Sequence, residues 1–301
     1  MDQLNSAKDE VRRVTLWALA SNLMLSACKF IFGIIGESQA LVADGVHSLS
    51  DSVTDIAVLV GAQFWLAPAD SDHPYGHGRI ETMVTLAIGI VLAGVGVGMS
   101  YRAIATLHEQ HPVFPGWTAF ATACVAIVGK EALYRWTVRV GKRIRSHALV
   151  ANAWHQRSDA LSSVPVAVAV LGTQIWPSLG FLDHIATVLV SVLVLHAAWQ
   201  IVWPALNQLA DTGVDESRLN EILSIASHVE GVRGVHSVRT RQTGADLQID
   251  LHILVDAQLT VYEGHRIADA LEAQLLSAVP EALEVLVHVD PDASIVSPEE
   301  S

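Results

Sequence analysis

Ala43-Asp-Gly-Val-His-Ser-Leu-Ser-Asp-Ser-Val-Thr-Asp55 places four ionisable side chains inside an apolar run that extends over roughly residues 40–66. Asp44, His47, Asp51 and Asp55 recur at steps of three, four and four, which aligns them on one face of an α-helix. In hydrocarbon such groups are costly unless they find a partner or a cavity. A long apolar helix with one charged face therefore reads as a membrane span whose polar side is turned inward. Asp44 and Asp55, nearer the span ends, either line a path or hydrogen-bond in a vestibule.

The remainder of the chain fits that setting. It has 301 residues, 51% of them hydrophobic and 16% charged, with a mean hydropathy of +0.39. Soluble domains carry about 25% charged residues. This balance argues against a disordered chain, a nucleic-acid binder or an ordinary cytosolic enzyme. Six apolar stretches are long enough to cross a bilayer, at roughly 13–35, 40–66, 81–104, 117–136, 150–173 and 180–203. Lys8, Arg12 and Arg13 precede the first, and Arg135, Arg139, Lys142, Arg143 and Arg145 lie between the fourth and fifth. The opposite loops, around Glu37, Glu109 and Ser178, have no Lys or Arg, so both termini are expected in the cytoplasm. Glycines 89, 94, 96 and 98 follow no strand and precede no Lys-Ser/Thr pair. They predict close helix packing through Gly94 and Gly98 rather than a phosphate loop. Cys28 and Cys124 are too few for a disulfide framework or a thiolate metal site.

Charge divides the sequence in two. Residues 1–210 hold 14 acidic and 13 basic residues, whereas 211–301 hold 17 and 5, with five of the fourteen histidines. The expected domains are therefore a six-helix transmembrane bundle over 1–210 and a small cytoplasmic α+β domain over 211–301. The tail predicts helix 215–228, strands 235–243 and 246–255 joined by a Thr243-Gly244 turn, helix 261–277 and strand 283–289. This αββαβ order implies a three-stranded sheet with helices on one face. The last ten residues read as frayed.

Three clusters could bind metal. In the fifth span His155 and Asp159 repeat the four-residue step of His47 and Asp51. Two helices offering these pairs would supply two imidazole nitrogens and two carboxylate oxygens, a donor set suited to tetrahedral Zn²⁺. The alternative is that these groups hydrogen-bond to one another or cap kinks. Asp70, His73 and His77 follow the second span within eight residues bracketed by turn formers, with Asp72 as a possible substitute. An ordinary polar loop is the competing reading. In the tail, His236, His252, His265, His288 and Asp290 fall on or beside predicted elements. The alternation Leu251-His252-Ile253 and Val287-His288-Val289 puts each His opposite its apolar neighbours, as a ligand set or a solvated surface would require. His108, His111, His147, His184, His196 and His228 have no such context.

The motifs Ala43–Asp51, Pro68-Ala-Asp70, Tyr75-Gly-His-Gly-Arg79, Trp154–Asp159, Gly234-Val-His236, Arg239–Gly244 and His288-Val-Asp-Pro291 occur in one order over nearly the whole chain. This pattern resembles the cation diffusion facilitators, which export divalent metals in exchange for protons. The resemblance implies a transport site at His47, Asp51, His155 and Asp159, and a loop site at Asp70, His73 and His77. It also implies a binuclear site at His236, His252, His265, His288 and Asp290, and a charge interlock of Arg79 with Asp211. A homodimer with a metallochaperone-like C-terminal domain in a cell (inner) membrane is expected, with lipid, metal and protons as its partners and no catalysis. Bacterial members handling iron and zinc often carry Asp where this chain has His47. An imidazole there favours Zn²⁺ over Mn²⁺ and Mg²⁺, with Fe²⁺, Co²⁺, Ni²⁺, Cd²⁺ and Mn²⁺ still admissible. The competing classes are a noncatalytic membrane scaffold, a channel, which a four-ligand trap disfavours, and an intramembrane metalloprotease, for which no His-Glu-x-x-His occurs.

Overall fold

A computed structural model describes residues 2–65, 67–106, 115–143, 147–176, 179–244 and 246–292. Residues 293–301, read above as frayed, and His108 and His111 lie outside them. The chain forms two compact units, Met1–Val60 with Ala87–Val202 and Gly61–Leu86 with Trp203–Ser301.

Six long helices come first: α1 (Asp2–Ile35), α2 (Gln39–Trp65), α3 (Gly78–Ala105), α4 (Trp117–Arg143), α5 (His147–Ile175) and α6 (Phe181–Leu209). Each contains its expected span apart from the terminal residue or two and, α2 aside, runs several residues beyond it. Among the described residues, Arg13–Ile35, Gly78–Ala105 and Phe181–Leu209 are apolar enough to cross a membrane by length and composition alone. The other three have comparable length but carry charge within the apolar run, which lowers mean hydropathy without shortening the helix. Met24, Val91, Val128 and Ile185 are each more than half exposed. Such a surface is unfavourable in water and suited to lipid.

The core of the first unit joins Ala40, Leu41 and Ala43 of α2, Leu92 of α3, Ala119 and Ala123 of α4, Val166 and Val170 of α5, and Val190 and Val194 of α6. Small residues let the helix backbones approach closely. The glycine expectation needs correction. A Cβ at Gly94 or Gly98 would meet nothing within 4 Å, whereas one at Gly89 would meet Val202 at 2.6 Å and one at Gly96 would meet Leu195 at 3.0 Å. Gly89 and Gly96, two turns apart, are therefore the positions at which α3 meets α6. The four glycines lie too close in sequence for spacing to distinguish the packed pair.

At the start of α2, the buried Asp183 carboxylate of α6 accepts hydrogen bonds from Ser38 Oγ (2.6 Å), Gln39 N (2.8 Å) and Ala40 N (3.3 Å). A neighbouring helix thus supplies the anionic cap that the first turn of α2 lacks in its own sequence.

The second unit contains α7 (Glu216–Ser227), β1 (Gly234–Thr243), β2 (Asp246–Asp256), α8 (Val261–Ala278) and β3 (Ala282–Asp292). Asp215 caps α7, and Thr260 with Glu263 forms a reciprocal capping box on α8. Gly244, at φ 63°, turns the hairpin. The sheet order is β1-β2-β3, with β1 antiparallel and β3 parallel to the central β2. Leu247, Ile249, Leu251, Ile253 and Val255 alternate along β2 into a core shared with Ile222 and Ala226 of α7 and Leu271 and Leu275 of α8. The intervening β2 residues, His252 among them, therefore occupy the opposite face.

Replacing Asp183 by Ala leaves three donors buried without an acceptor and is expected to cost roughly 2–3 kcal/mol. Thermal unfolding in detergent should show a lower midpoint than the intact chain, with Asp183→Asn in between.

Candidate metal sites

Strand register builds the tail cluster. His236 of β1 pairs with His252 of β2, and His252 pairs with His288 of β3, so three imidazoles stand in one row across the sheet. Strands about 4.8 Å apart bring neighbouring rings within reach of a common ion. Ring centroids lie 5.1 Å apart for His236 and His252 and 4.5 Å for His252 and His288. Asp290, two residues beyond His288, gathers the row: Oδ2 lies 2.9 Å from His252 Nδ1 and 3.3 Å from His236 Nε2, while Oδ1 lies 3.2 Å from His288 Nε2. The candidate ligand atoms of His236, His252 and Asp290 all fall within 4.8 Å of one another.

A bulge makes this row possible. Between His236 and Arg239 the β1 strand holds one more residue than its partner, and Ser237 sits there at φ 51°. The left-handed backbone is uncommon for a non-glycine residue, and Ser237 Oγ lies 3.0 Å from His236 Nδ1. His236 is thereby left with Nε2 directed at Asp290. His265 does not join the row; on α8 its Nε2 lies 3.6 Å from Asp269 Oδ1.

The Asp290 carboxyl is held below the usual carboxylate range, first by its hydrogen bond with His252 and then by the neighbouring imidazoles. A depressed carboxyl stabilises the fold above its ordinary pKa, and that contribution is lost only as pH falls through the lower folded value. The Asp290 carboxyl therefore stays ionised to lower pH than a free carboxylate.

The loop between α2 and α3 gathers Asp70, His73 and His77. Asp70 Oδ1 accepts from His73 N at 2.7 Å and Asp72 N at 3.0 Å, an Asx turn. The backbone donor of His73 is the main cause holding the Asp70 carboxyl below its ordinary value. His77 Nδ1 lies 3.3 Å from Ala67 O, which favours a proton on Nδ1 and leaves the Nε2 lone pair towards Asp70 Oδ2, 3.3 Å away. The ligand atoms of all three again lie within 4.8 Å. Beside the loop, Arg79 pairs with Asp211, and the Arg241 guanidinium lies 5.7 Å from the centre of the Tyr75 ring.

In the helical unit, His47 and Asp159 are buried, at 9% and 7% exposure. The side chains of Asp51, Asp55 and His155 lie outside the described residues. His47 Nδ1 is buried without a hydrogen-bond partner among the described residues, an expensive condition for an imidazole unless something else binds there. Asp44 is fully buried, with its Oδ2 2.8 Å from Lys29 Nζ.

Sequence reading missed two lysines. Lys29 of α1 is fully buried and donates to Ser48 Oγ at 3.0 Å and Ser163 Oγ at 2.9 Å. Lys130 of α4 is 1% exposed, donates to the same Ser48 Oγ at 3.3 Å and lies 3.7 Å from Asp159 Oδ2. Two ammonium groups and two carboxylates thus form a chain through α1, α2, α4 and α5, joined at Ser48. The available signal was the rule already applied to aspartate, that an ionisable residue within an apolar helix needs a partner.

Residues 15–210 match the cation efflux transmembrane domain family, and 214–292 match the cation efflux protein cytoplasmic domain. The chain is 33% identical over 285 residues to a manganese efflux system protein, MneP, of Bacillus subtilis, covering 93% of this chain and 96% of that one. It is 32% identical to metal tolerance protein C1 of Arabidopsis thaliana, over 96% of this chain and 64% of that protein. It is also 32% identical to the magnetosome protein MamB of a Magnetospira strain, over 92% and 94%.

In the full chain, His252→Ala should abolish the tail's tightest metal binding while His265→Ala leaves it in place, as read by calorimetric titration. The affinity of that site should fall on acidification, because protons compete with metal for the imidazole nitrogens.

Proposed function

The chain belongs to the cation efflux, or cation diffusion facilitator, family of integral membrane metal transporters, and from that premise we propose that it exports Zn²⁺ from the cytoplasm in exchange for protons. The observation that carries this reading is the buried Nδ1 of His47, which has no hydrogen-bond partner among the described residues, one helical turn before Asp51 and in the same bundle as the buried carboxylate of Asp159. We assign His47, Asp51, His155 and Asp159 as the ligands of the moving ion. Two imidazoles and two carboxylates match the borderline softness of Zn²⁺ better than the hard-oxygen preference of Mn²⁺.

Antiport follows from the ligands themselves. Metal binding requires neutral imidazole and ionised carboxylate, so protons and metal compete for the same atoms. When the site faces a more acidic exterior, protons displace the ion; facing the cytoplasm, metal displaces protons. Access alternates as one group of helices moves against another. We assign transport to residues 1–210, with both termini cytoplasmic in a cell membrane, and metal-dependent homodimerisation to residues 211–301. The strongly acidic tails repel each other when metal-free, and ions at the His236, His252, His288 and Asp290 row and at the Asp70, His73 and His77 loop offset that repulsion. His265, outside the row in one chain, would enter the binuclear set only after α8 or its side chain turns.

A second cargo is favoured by a specific observation: a relative named for manganese efflux shares 33% identity over nearly the whole chain. Flux into dye-loaded proteoliposomes separates the two. Zn²⁺ uptake is expected to rise with a pH gradient and to vanish in Asp51→Ala. Mn²⁺ carried faster than Zn²⁺ would reassign the cargo, and gradient-independent flux would remove the proton exchange.

A further inference from the structure

We propose that Lys130 is the resident counter-cation of the transport site: its ammonium compensates Asp159 when no metal is bound and must leave when metal arrives. This inference rests on the assignment of Asp159 as a ligand of the transported ion. It goes beyond that assignment by adding a residue that sets the affinity without itself binding metal.

Lys130 Nζ lies 3.7 Å from Asp159 Oδ2, and both side chains are almost entirely buried. An uncompensated carboxylate at that depth is strongly unfavourable, so the ammonium stabilises the metal-free bundle. A divalent ion coordinated by the same carboxylate would face a positive charge at ligand distance. In a low-dielectric interior that repulsion is large, and the two cations exclude each other. Ser48 supplies the place to which the ammonium withdraws. Its hydroxyl already accepts from Lys130 at 3.3 Å, and the flexible four-carbon stem permits a short swing. Lys29 cannot take over the role, because its own ammonium is held by Asp44 at 2.8 Å and by Ser163 at 2.9 Å.

Lys130 therefore acts as a tethered competitor. It weakens metal binding enough to permit release, and its return to Asp159 compensates that carboxylate in the emptied site. Lys130 is thus a positioning residue, and its removal predicts an effect opposite to that of structural damage: the site should bind metal more tightly, not less.

The test uses the full chain with the other clusters disabled by Asp70→Ala, His73→Ala, His252→Ala and Asp290→Ala, and Zn²⁺ as the titrant. Lys130→Gln, which keeps a donor for Ser48 but no charge, is expected to lower the Kd by ~10-fold or more. Lys130→Arg should stay near the parent. In proteoliposomes the same Gln variant should show a lower KM and a lower maximal rate, because release slows. A Kd that is unchanged or raised in folded Lys130→Gln overturns the proposal. Asp159→Asn separates it from the site assignment. If that variant binds Zn²⁺ as the parent does, the assignment itself fails; if it loses binding while Lys130→Gln is unchanged, only the counter-cation role fails. Should Lys130→Gln not fold alone, recovery by Zn²⁺ supports the proposal, because metal then replaces the missing charge. Recovery only on adding Asp159→Asn overturns it, leaving a purely structural ion pair.

Discussion

The helical unit depends on keeping charge compensated where water is absent. Asp44 and Asp159 are buried carboxylates, Lys29 and Lys130 are buried ammonium groups, and Ser48 hydrogen-bonds to both cations. An isolated ion at that depth would cost far more than any single packing contact returns. The four charges therefore constrain the relative placement of α1, α2, α4 and α5 more strictly than their apolar surfaces do. Apolar helices in lipid slide and rotate at low cost because the lipid is as good a partner as another helix. Charge pairs remove that freedom.

A transporter must bind its cargo and let it go, and a site of strong ligands in a dry bundle favours only the first. The two buried pairs divide this problem. Lys29 and Asp44, joined by a close contact and supported by Ser163, have the character of a permanent fastening. Lys130 and Asp159, farther apart, have the looser geometry of an exchangeable one. The exposed clusters work differently. In the loop and in the tail, a carboxylate sits among imidazoles in contact with solvent, so metal and protons reach them from the same side.

Hydropathy and periodicity made much of this legible. The helices, the αββαβ order and the inward row of β2 follow from apolar repeats of 3.6 and 2, which depend on backbone geometry alone. The alternation around His252 and His288 put both on the polar face, as found. Three things were not legible. The strand register that lines up His236 depends on a one-residue bulge at Ser237, and nothing in a Ser-Val dipeptide signals it. Which glycines of α3 meet α6 depends on helix rotation, and Gly94 and Gly98 were indistinguishable from Gly89 and Gly96 by type. The lysines were overlooked because Lys29 lies near the end of one apolar run and Lys130 just ahead of the basic residues that fix orientation. Both positions suggest a side chain reaching towards the interface.

The same physics explains why the tail can carry a row of imidazoles without endangering its fold. Its core is closed by Ile222, Leu251, Ile253, Leu271 and Leu275, all on the side of the sheet away from the imidazoles. Charge added to or removed from the His252 face therefore acts on an exposed surface, where water absorbs most of the change. The helical unit has no such separation. Asp159, the carboxylate proposed as a ligand, faces Lys130, and Lys130 shares the Ser48 hydroxyl with Lys29, so a change of charge at Asp159 is felt through Lys130 by Lys29 and Asp44 within four neighbouring helices. An ion arriving at that carboxylate acts on the fastening of the bundle as well as on its own ligands, and this is the physical condition for cargo binding to alter how the helices pack.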